Sequence, residues 1–365
     1  MTNRTLRLAT RGSALARTQA ASVQDALASR RLDVELVEVE TEGDKIQDTL
    51  IHRLGKTGAF VRALDERVLD GDVDAAVHSM KDMPTEKPNG LVVAGVPERA
   101  PAGDVLVTRE GHDIDDLPEG AVVGTSSLRR QAQLLNYRDD LEVEPLRGNV
   151  DTRVEKLLAT HLQREHEQRV EDDKDRQGKH GKTDHDGEFD QRVDEWFDSL
   201  SELERQAMER KVDTEYDAIV LAEAGLKRSG LLDKVSYARL PRSDFVPAPG
   251  QGAIAVTASD EEIIDLVHDK LDHARTRVET TVERTILAEL GGGCIAPVGI
   301  HALVQGKHVH VDVHVLATDG SEAIKTARDL PIGNHATAAR DFAADLRERG
   351  AGQLIEEASA DAEDE

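Results

Sequence analysis

His78-Ser79-Met80-Lys81-Asp82-Met83-Pro84 sets a hydroxyl, an ammonium and a carboxylate within four residues, directly after an apolar run. A carboxylate fixed at the end of a strand can stabilise a developing cation or move a proton. The same composition also fits a helix N-cap, from Ser79 or Asp82, beside a solvated lysine. A second reactive group stands far along the chain. Cys294 is the only cysteine among 365 residues and follows Gly291-Gly292-Gly293. It has no partner for an internal disulfide, and the glycines allow the backbone positive φ and close approach to another group. A lone thiol on a loop between a helical pattern ending at Leu290 and a strand pattern starting near Val298 has the geometry of an attachment point. A small buried hydrophobe beside a helix C-cap is the other reading.

Arginines recur at comparable turns. Arg11 and Ser13 lie in Thr10-Arg11-Gly12-Ser13, Arg129 and Arg130 close Gly124-Thr125-Ser126-Ser127-Leu128-Arg129-Arg130, Arg147 and Arg153 flank Gly148-Asn149-Val150-Asp151-Thr152, and Arg228 ends Ala224-Gly225-Leu226-Lys227-Arg228. The hydroxyls of Thr125, Ser126 and Ser127 at a helix start, with free N–H groups behind them, make an anion site. Arginines in that first turn oppose the helix dipole unless a negative ligand offsets them. Their clustering in an acidic chain predicts a polycarboxylate or phosphate ligand. No Gly-x-x-x-x-Gly-Lys-Ser/Thr loop and no well-placed dinucleotide fingerprint occurs, which favours carboxylates over nucleotides.

Alternating strand and helix patterns must position these turns. Strands are expected at residues 6–9, 33–41, 72–78 and 91–96, with helices after Ser13 and over 60–69. Further strands are expected at 104–108, 121–124, 141–146 and 216–222. Such βα units imply parallel sheets, whose ligands sit at the carboxyl ends of the strands. The polar turns at 10–13, 41–45 and 78–84 fall at such ends. Pro247-Ala248-Pro249-Gly250-Gln251-Gly252-Ala253 reads as a crossover between domains, and 253–257 as a strand returning to the first sheet. The expected division is domain 1 at 1–98 and 253–272, domain 2 at 99–246, and domain 3 at 275–365. Domain 3 reads as a long helix over 261–290, then antiparallel strands at 299–305, 307–317 and 321–330, a helix at 335–347 and a frayed acidic tail.

Domain 2 is interrupted at about 160–212. The helix expected at 152–162 is followed by a charged, aperiodic stretch at 165–188, read as a solvated or disordered loop. An amphipathic helix then carries Trp196, the only tryptophan, and is expected to pack on the outside of domain 2. His161, His166, His180 and His185 match no zinc spacing, and no metal site is expected. His308, His310, Asp312 and His314 alternate with valines on one strand face, which reads as the wet side of an antiparallel sheet.

The formal net charge of -26 argues against nucleic acid and anionic membrane surfaces as partners. It fits an acidic surface adapted to high salt. One cysteine, no apolar signal core in residues 1–20 and no membrane-length apolar run point to a cytoplasmic protein. A monomer is expected.

Taken in order, these motifs resemble the hydroxymethylbilane synthase family, also called the porphobilinogen deaminases. The matching pieces are Ala9-Thr10-Arg11-Gly12-Ser13, His78 to Asp82, Gly124 to Arg130, Leu146 to Val150, Ala224 to Arg228, Pro249 to Ala253 and Gly291 to Cys294. The resemblance implies an α/β fold with two doubly wound domains, similar to periplasmic binding proteins, and a small α+β third domain. It implies head-to-tail condensation of four porphobilinogens into hydroxymethylbilane with loss of ammonia. The chain would grow on a dipyrromethane cofactor held by a thioether to Cys294. Asp82 matches the catalytic carboxylate. Ser79, Lys81, Thr125, Ser127, Arg129, Arg130 and Asn149 match cofactor-binding positions, and Arg11, Ser13, Ser126, Arg147, Arg153, Arg228 and Gln251 substrate-binding ones. Two departures stand out: Thr57 replaces a usual lysine, with Lys56 adjacent, and the interruption is extra. A non-catalytic two-lobed carboxylate-binding protein would explain the arginines but not Cys294.

Overall fold

The computed structural model describes residues 4–39, 59–86, 88–176, 189–291 and 296–364. Cys294, Lys56, Thr57 and the turn expected at 41–45 lie outside them. Three sheets organise the described residues. The first contains β1 (Arg4–Arg11), β2 (Leu32–Val39), β3 (Ala75–Ser79) and β4 (Val92–Gly95). The second contains β5 (Asp104–Thr108), β6 (Val122–Gly124), β7 (Glu142–Glu144), β8 (Ala218–Ala222) and β9 (Tyr237–Arg239). β10 (Ile254–Ala258) returns to the first sheet, and β11 (Val298–Gln305), β12 (His308–Leu316) and β13 (Ala323–Pro331) form the third.

The strand orders are β2-β1-β3-β10-β4 and β7-β6-β8-β5-β9. The sheets are mixed rather than wholly parallel as the βα alternation suggests. β1, β2 and β3 run parallel, but β10 runs antiparallel to both β3 and β4. β6 is parallel to β7 and β8, whereas β5 is antiparallel to β8 and β9. The reversed strand in each sheet is the one that has just arrived from the other lobe. A strand entering by a crossover has no preceding helix to return it to the starting edge, so the βα rule does not fix its direction.

Each five-stranded sheet is buried on both faces. On one face of the first, Leu8, Val77 and Val256 pack against Ala20, Val23 and Leu27 of the helix Ala14–Leu27 and against Ile263 and Val267 of the helix Glu261–Leu271. On the other face, Ala9 and Ala76 meet Leu64 and Val68 of the helix Ala59–Leu69. The second sheet is covered by Leu134 of the helix Leu128–Tyr137 and, opposite, by Val154, Leu157 and Leu226. The third sheet lays Val309, Val311, Val313 and Val315 on Ile286, Phe342 and Ile355 of three helices. One of these is Ala351–Asp364, so the acidic tail is a helix rather than frayed chain. The helical pattern over 261–290 divides into Glu261–Leu271 and Ala274–Glu289.

Three further expectations are corrected. The helix opening at Val150 runs on to Arg176, so the charged stretch is helical at least that far. It has almost no apolar period, but its Gln, Arg and Glu residues have high intrinsic helix propensity, and Glu165 and Arg169 pair at i,i+4 over 2.7 Å. The helix expected over 189–212 is two short ones, Val193–Ser199 and Glu202–Met208, divided where Ser201 caps the second. They fold back so that Trp196, Leu200 and Ala207 bury against Leu162. The histidine face of β12 is wet only at one end. His308 is exposed, but His314 is buried, with Nδ1 3.2 Å from the Asp244 carbonyl.

Candidate active site

A cleft of about 290 Å³ opens between the two five-stranded sheets. From the first lobe it is lined by Arg11 at the end of β1 with Ser13 past it, and by Ser79 at the end of β3 with Lys81 and Asp82 past it. From the second it is lined by Arg130, Asn149, Arg153 and Arg228, with Gln251 at the crossover. The site thus lies at strand ends, as the alternation requires.

The turn that carries Asp82 is held from three sides. β3 passes into a 3₁₀ turn, Met80–Asp82, with Met80 buried beneath it. The Met80 amide donates to the Ala253 carbonyl of the returning crossover at 3.0 Å. Arg284, on the helix Ala274–Glu289, donates to the carbonyls of Met83 at 3.1 Å and Pro84 at 2.6 Å. Gly250 has φ +75°, and a Cβ there would lie 2.9 Å from Met80 Cγ and 3.2 Å from the Lys81 amide nitrogen. Only glycine lets the crossover pass this close to the turn.

Beneath the cleft lies a buried ionic hub that the sequence reading missed. Asp104, the first residue of β5, accepts from Arg129 Nη2 and Arg130 Nη2, both at 2.7 Å, and from Gln251 Nε2 at 2.8 Å. Burial alone would raise its pKa, but the two guanidiniums hold the carboxyl well below the usual carboxylate range. The signal in the sequence was a lone acid opening a run of apolar strand residues. A second hub joins the third lobe to the crossover. Glu283 accepts from Arg99 at 2.7 and 3.1 Å, from the Gly250 amide at 2.7 Å and from the Ala302 amide at 2.8 Å.

The expected anion-binding residues therefore divide into two groups. Arg130, Arg153 and Arg228 reach the cleft, with Lys81. Arg129 does not: its guanidinium also donates to Gln133 and to the Val246 carbonyl, both at 2.8 Å, inside the second lobe. Thr125, Ser126, Ser127 and Arg147 do not line the cleft either. Ser126 Oγ donates to the Leu146 carbonyl at 2.7 Å, and Thr125 Oγ1 accepts from the Ser127 amide at 3.2 Å, so these hydroxyls shape their own loop. Gln251 lines the cleft, but its amide nitrogen is held by Asp104 and by the Ala102 carbonyl at 2.6 Å. Ser13 caps its helix by accepting from the Ala16 amide at 3.3 Å. Gln19, on the same helix, lines the cleft unforeseen; its signal was one amide on an otherwise apolar helix face.

The electrostatics of the cleft all run one way. Burial lowers the Lys81 pKa. Burial, then repulsion from Arg130 and Arg147, lowers Arg153 to about 10. Burial lowers Arg228. Arg130 Nε is buried without a hydrogen-bond partner among the described residues. Desolvated cations that repel one another are stabilised by an incoming anion, and carboxylates match guanidinium geometry. No cluster of three or more metal-ligating side chains occurs among the described residues.

Two family profiles match this chain. "Porphobilinogen deaminase, dipyromethane cofactor binding domain" covers residues 6–165 and 204–265, and "Porphobilinogen deaminase, C-terminal domain" covers 278–348. The chain belongs to the porphobilinogen deaminase family. The gap in the first match, 166–203, falls on the extended helix and most of the packed-back segment, so this piece is additional to the family pattern. A "Probable porphobilinogen deaminase" of Halobacterium salinarum is 54% identical over 99% of this chain and 100% of that protein. Another, of Methanococcoides burtonii, is 37% identical over 96% of each. Among solved structures, the methionine binding protein MetQ covers 73% of this chain and 89% of its own at 12% identity and a TM-score of 0.38. Like other porphobilinogen deaminases, the chain is a transferase of tetrapyrrole synthesis. It makes hydroxymethylbilane from porphobilinogen on a dipyrromethane cofactor. No helix among the described residues is long and apolar enough to cross a membrane.

Proposed function

We propose that the cationic cleft between the two lobes is where porphobilinogen units are joined, and that Asp82 is its catalytic carboxylate. The observation that carries this reading is the placement of Asp82 on a wall shared with Lys81, facing Arg130, Arg153 and Arg228. Each pyrrole unit bears an acetate and a propionate, so the growing chain is a polyacid. The arginines bind those carboxylates and set the rings in register. Loss of ammonia from an incoming unit leaves a cation delocalised over ring nitrogen and methylene carbon. A carboxylate held by a rigid turn stabilises that charge as it develops, without reorganising.

The desolvated, mutually repelling cations of the cleft fit a dipyrromethane, whose side chains are themselves carboxylates. Lys81, Arg130 and Asn149 are assigned to holding it, with Ser79 beside them. When bound, the group supplies the primer for chain growth. We assign its attachment to Cys294, the only thiol in the chain. Mass spectrometry of the intact protein tests this. It should give an adduct of two pyrrole rings that is absent from Cys294→Ala; an active enzyme of unmodified mass overturns the assignment. We further read the protein as a cytoplasmic monomer without nucleic-acid or membrane partners, a reading supported by the net charge of -26 and the lone cysteine.

A further inference from the structure

His78, two residues before the Met80–Asp82 turn, is buried in a polar triad that the reading above leaves without a role. Its Nε2 lies 2.9 Å from Asp65 Oδ1 and 3.0 Å from Thr257 Oγ1. Thr257 Oγ1 in turn donates to Asp65 Oδ1 at 3.1 Å. The three come from different elements: the helix Ala59–Leu69, β3 and β10. Each is less than 5% exposed, and polar groups are costly to bury unless they are mutually bonded. With a carboxyl oxygen and a hydroxyl oxygen against Nε2, the ring proton belongs on that nitrogen, which leaves a lone pair on Nδ1. Nδ1 makes no hydrogen bond among the described residues, and His78 lines the cleft together with Asp82. Lys81 and Asp82 follow it in the chain. Arg11 from the end of β1 and Arg130, Arg153 and Arg228 from the facing lobe are the other charged groups of that lining.

We propose that His78 is the proton acceptor of the coupling reaction and that Asp65 is the positioning residue that fixes its tautomer. The proposal rests on the cleft being the coupling site. Each coupling forms a C–C bond between the free ring carbon of one pyrrole and the methylene carbon of the unit that has lost ammonia. The C–H electron pair at that ring carbon then returns to the ring, and its proton leaves. His78 Nδ1 takes the proton. Asp65 and Thr257 hold the imidazolium at Nε2, and the proton passes on to the released ammonia, which departs as ammonium. Asp82 stabilises the cation before the bond forms; His78 discharges the proton after it.

The test uses cofactor-loaded His78→Gln and Asp65→Asn with porphobilinogen deuterated at its free ring carbon. Removing the acceptor should lower turnover about 100-fold or more. It should also produce a primary isotope effect larger than that of the wild type, which a purely structural lesion would not. Histidine nitrogen NMR of the wild-type protein should show Nε2 protonated and Nδ1 bare. That measurement needs neither turnover nor a folded variant. A wild-type isotope effect in both variants, or a proton on Nδ1, overturns the proposal. Should both dyad variants behave as wild type while Asp82→Ala is inactive, only the dyad assignment falls. Should Asp82→Ala also be fully active, the coupling-site reading falls with it.

Discussion

Gln251 and Asp104 meet at 2.8 Å, which ties the segment returning to the first lobe to the first residue of the strand that opens the second. The same carboxyl holds Arg129 and Arg130. The hinge between the lobes and the cation wall of the cleft therefore share one buried acid. Opening the lobes by breaking this contact would also disturb Arg130.

Asp104→Asn should be among the most damaging substitutions in the chain outside the reacting groups. It leaves two buried guanidiniums without a counter-charge, which costs about 3–5 kcal/mol. Denaturant unfolding should show that loss, while the partial replacement Gln251→Ala should cost only about 1–3 kcal/mol. A loss below about 1 kcal/mol in Asp104→Asn would show that the hub is not a main support of the fold.

Arg153 donates from Nε to the Gly148 carbonyl at 2.8 Å and is otherwise set among repelling arginines. Arg153→Gln should relieve that repulsion, keep the fold and weaken carboxylate binding. Steady-state kinetics should show KM for porphobilinogen rising about tenfold with a smaller change in kcat. Arg153→Lys should recover only part of it, because an ammonium cannot make the two-pronged contact. An unchanged KM in both variants would remove Arg153 from the binding set.

His301 and His314 lie on adjacent strands of the third sheet, where burial lowers both to about 4. In the unfolded chain they titrate near the ordinary value of 6.5. Between pH 6.5 and 4 the unfolded state therefore binds more protons, so stability falls as pH falls through that window. Well above pH 6.5 both states leave the rings neutral, and neither residue contributes any slope. The full effect approaches about 3 kcal/mol for each histidine. Unfolding midpoints measured from pH 8 to 4 should drop in this window, and the drop should be smaller in His314→Gln. A flat profile would contradict the assignment of neutral, desolvated rings.

With a net charge of -26, the folded chain repels itself. Salt shortens the range of that repulsion to about 3 Å at 1 M. Thermal midpoints should therefore rise from about 0.1 M to 2 M potassium chloride. A fall over this range would mean that the attractive pairs, such as Arg7–Asp74 and Arg328–Asp345, outweigh the repulsion.

Much of this was legible in the residues because it depends on local pattern. The strands that end at Arg11 and Ser79 announce themselves by apolar residues, and the turns after them by chemistry. Strand direction was not legible for β5 and β10, since it is set by long-range crossovers rather than by local period. The helix to Arg176 was hidden because charged propensity, not an apolar stripe, sustains it. Arg129 and Arg130 are neighbours of one type in one turn, and only the packed structure shows one reaching the cleft and the other holding the interior. Asp104 carries no decisive signal in the sequence, because a single acid in a strand is uninformative until its partners are known. His78 stands in the sequence as part of a motif, but its partner Asp65 is on another element and Thr257 is far along the chain.

The most direct test of the account is single-turnover kinetics on Asp82→Ala loaded with cofactor. The account predicts that this variant keeps its adduct mass and still takes up porphobilinogen. It should release ammonia at least about 100-fold more slowly than the wild type. Near-normal ammonia release from a fully loaded Asp82→Ala would contradict the claim that this carboxylate drives the coupling.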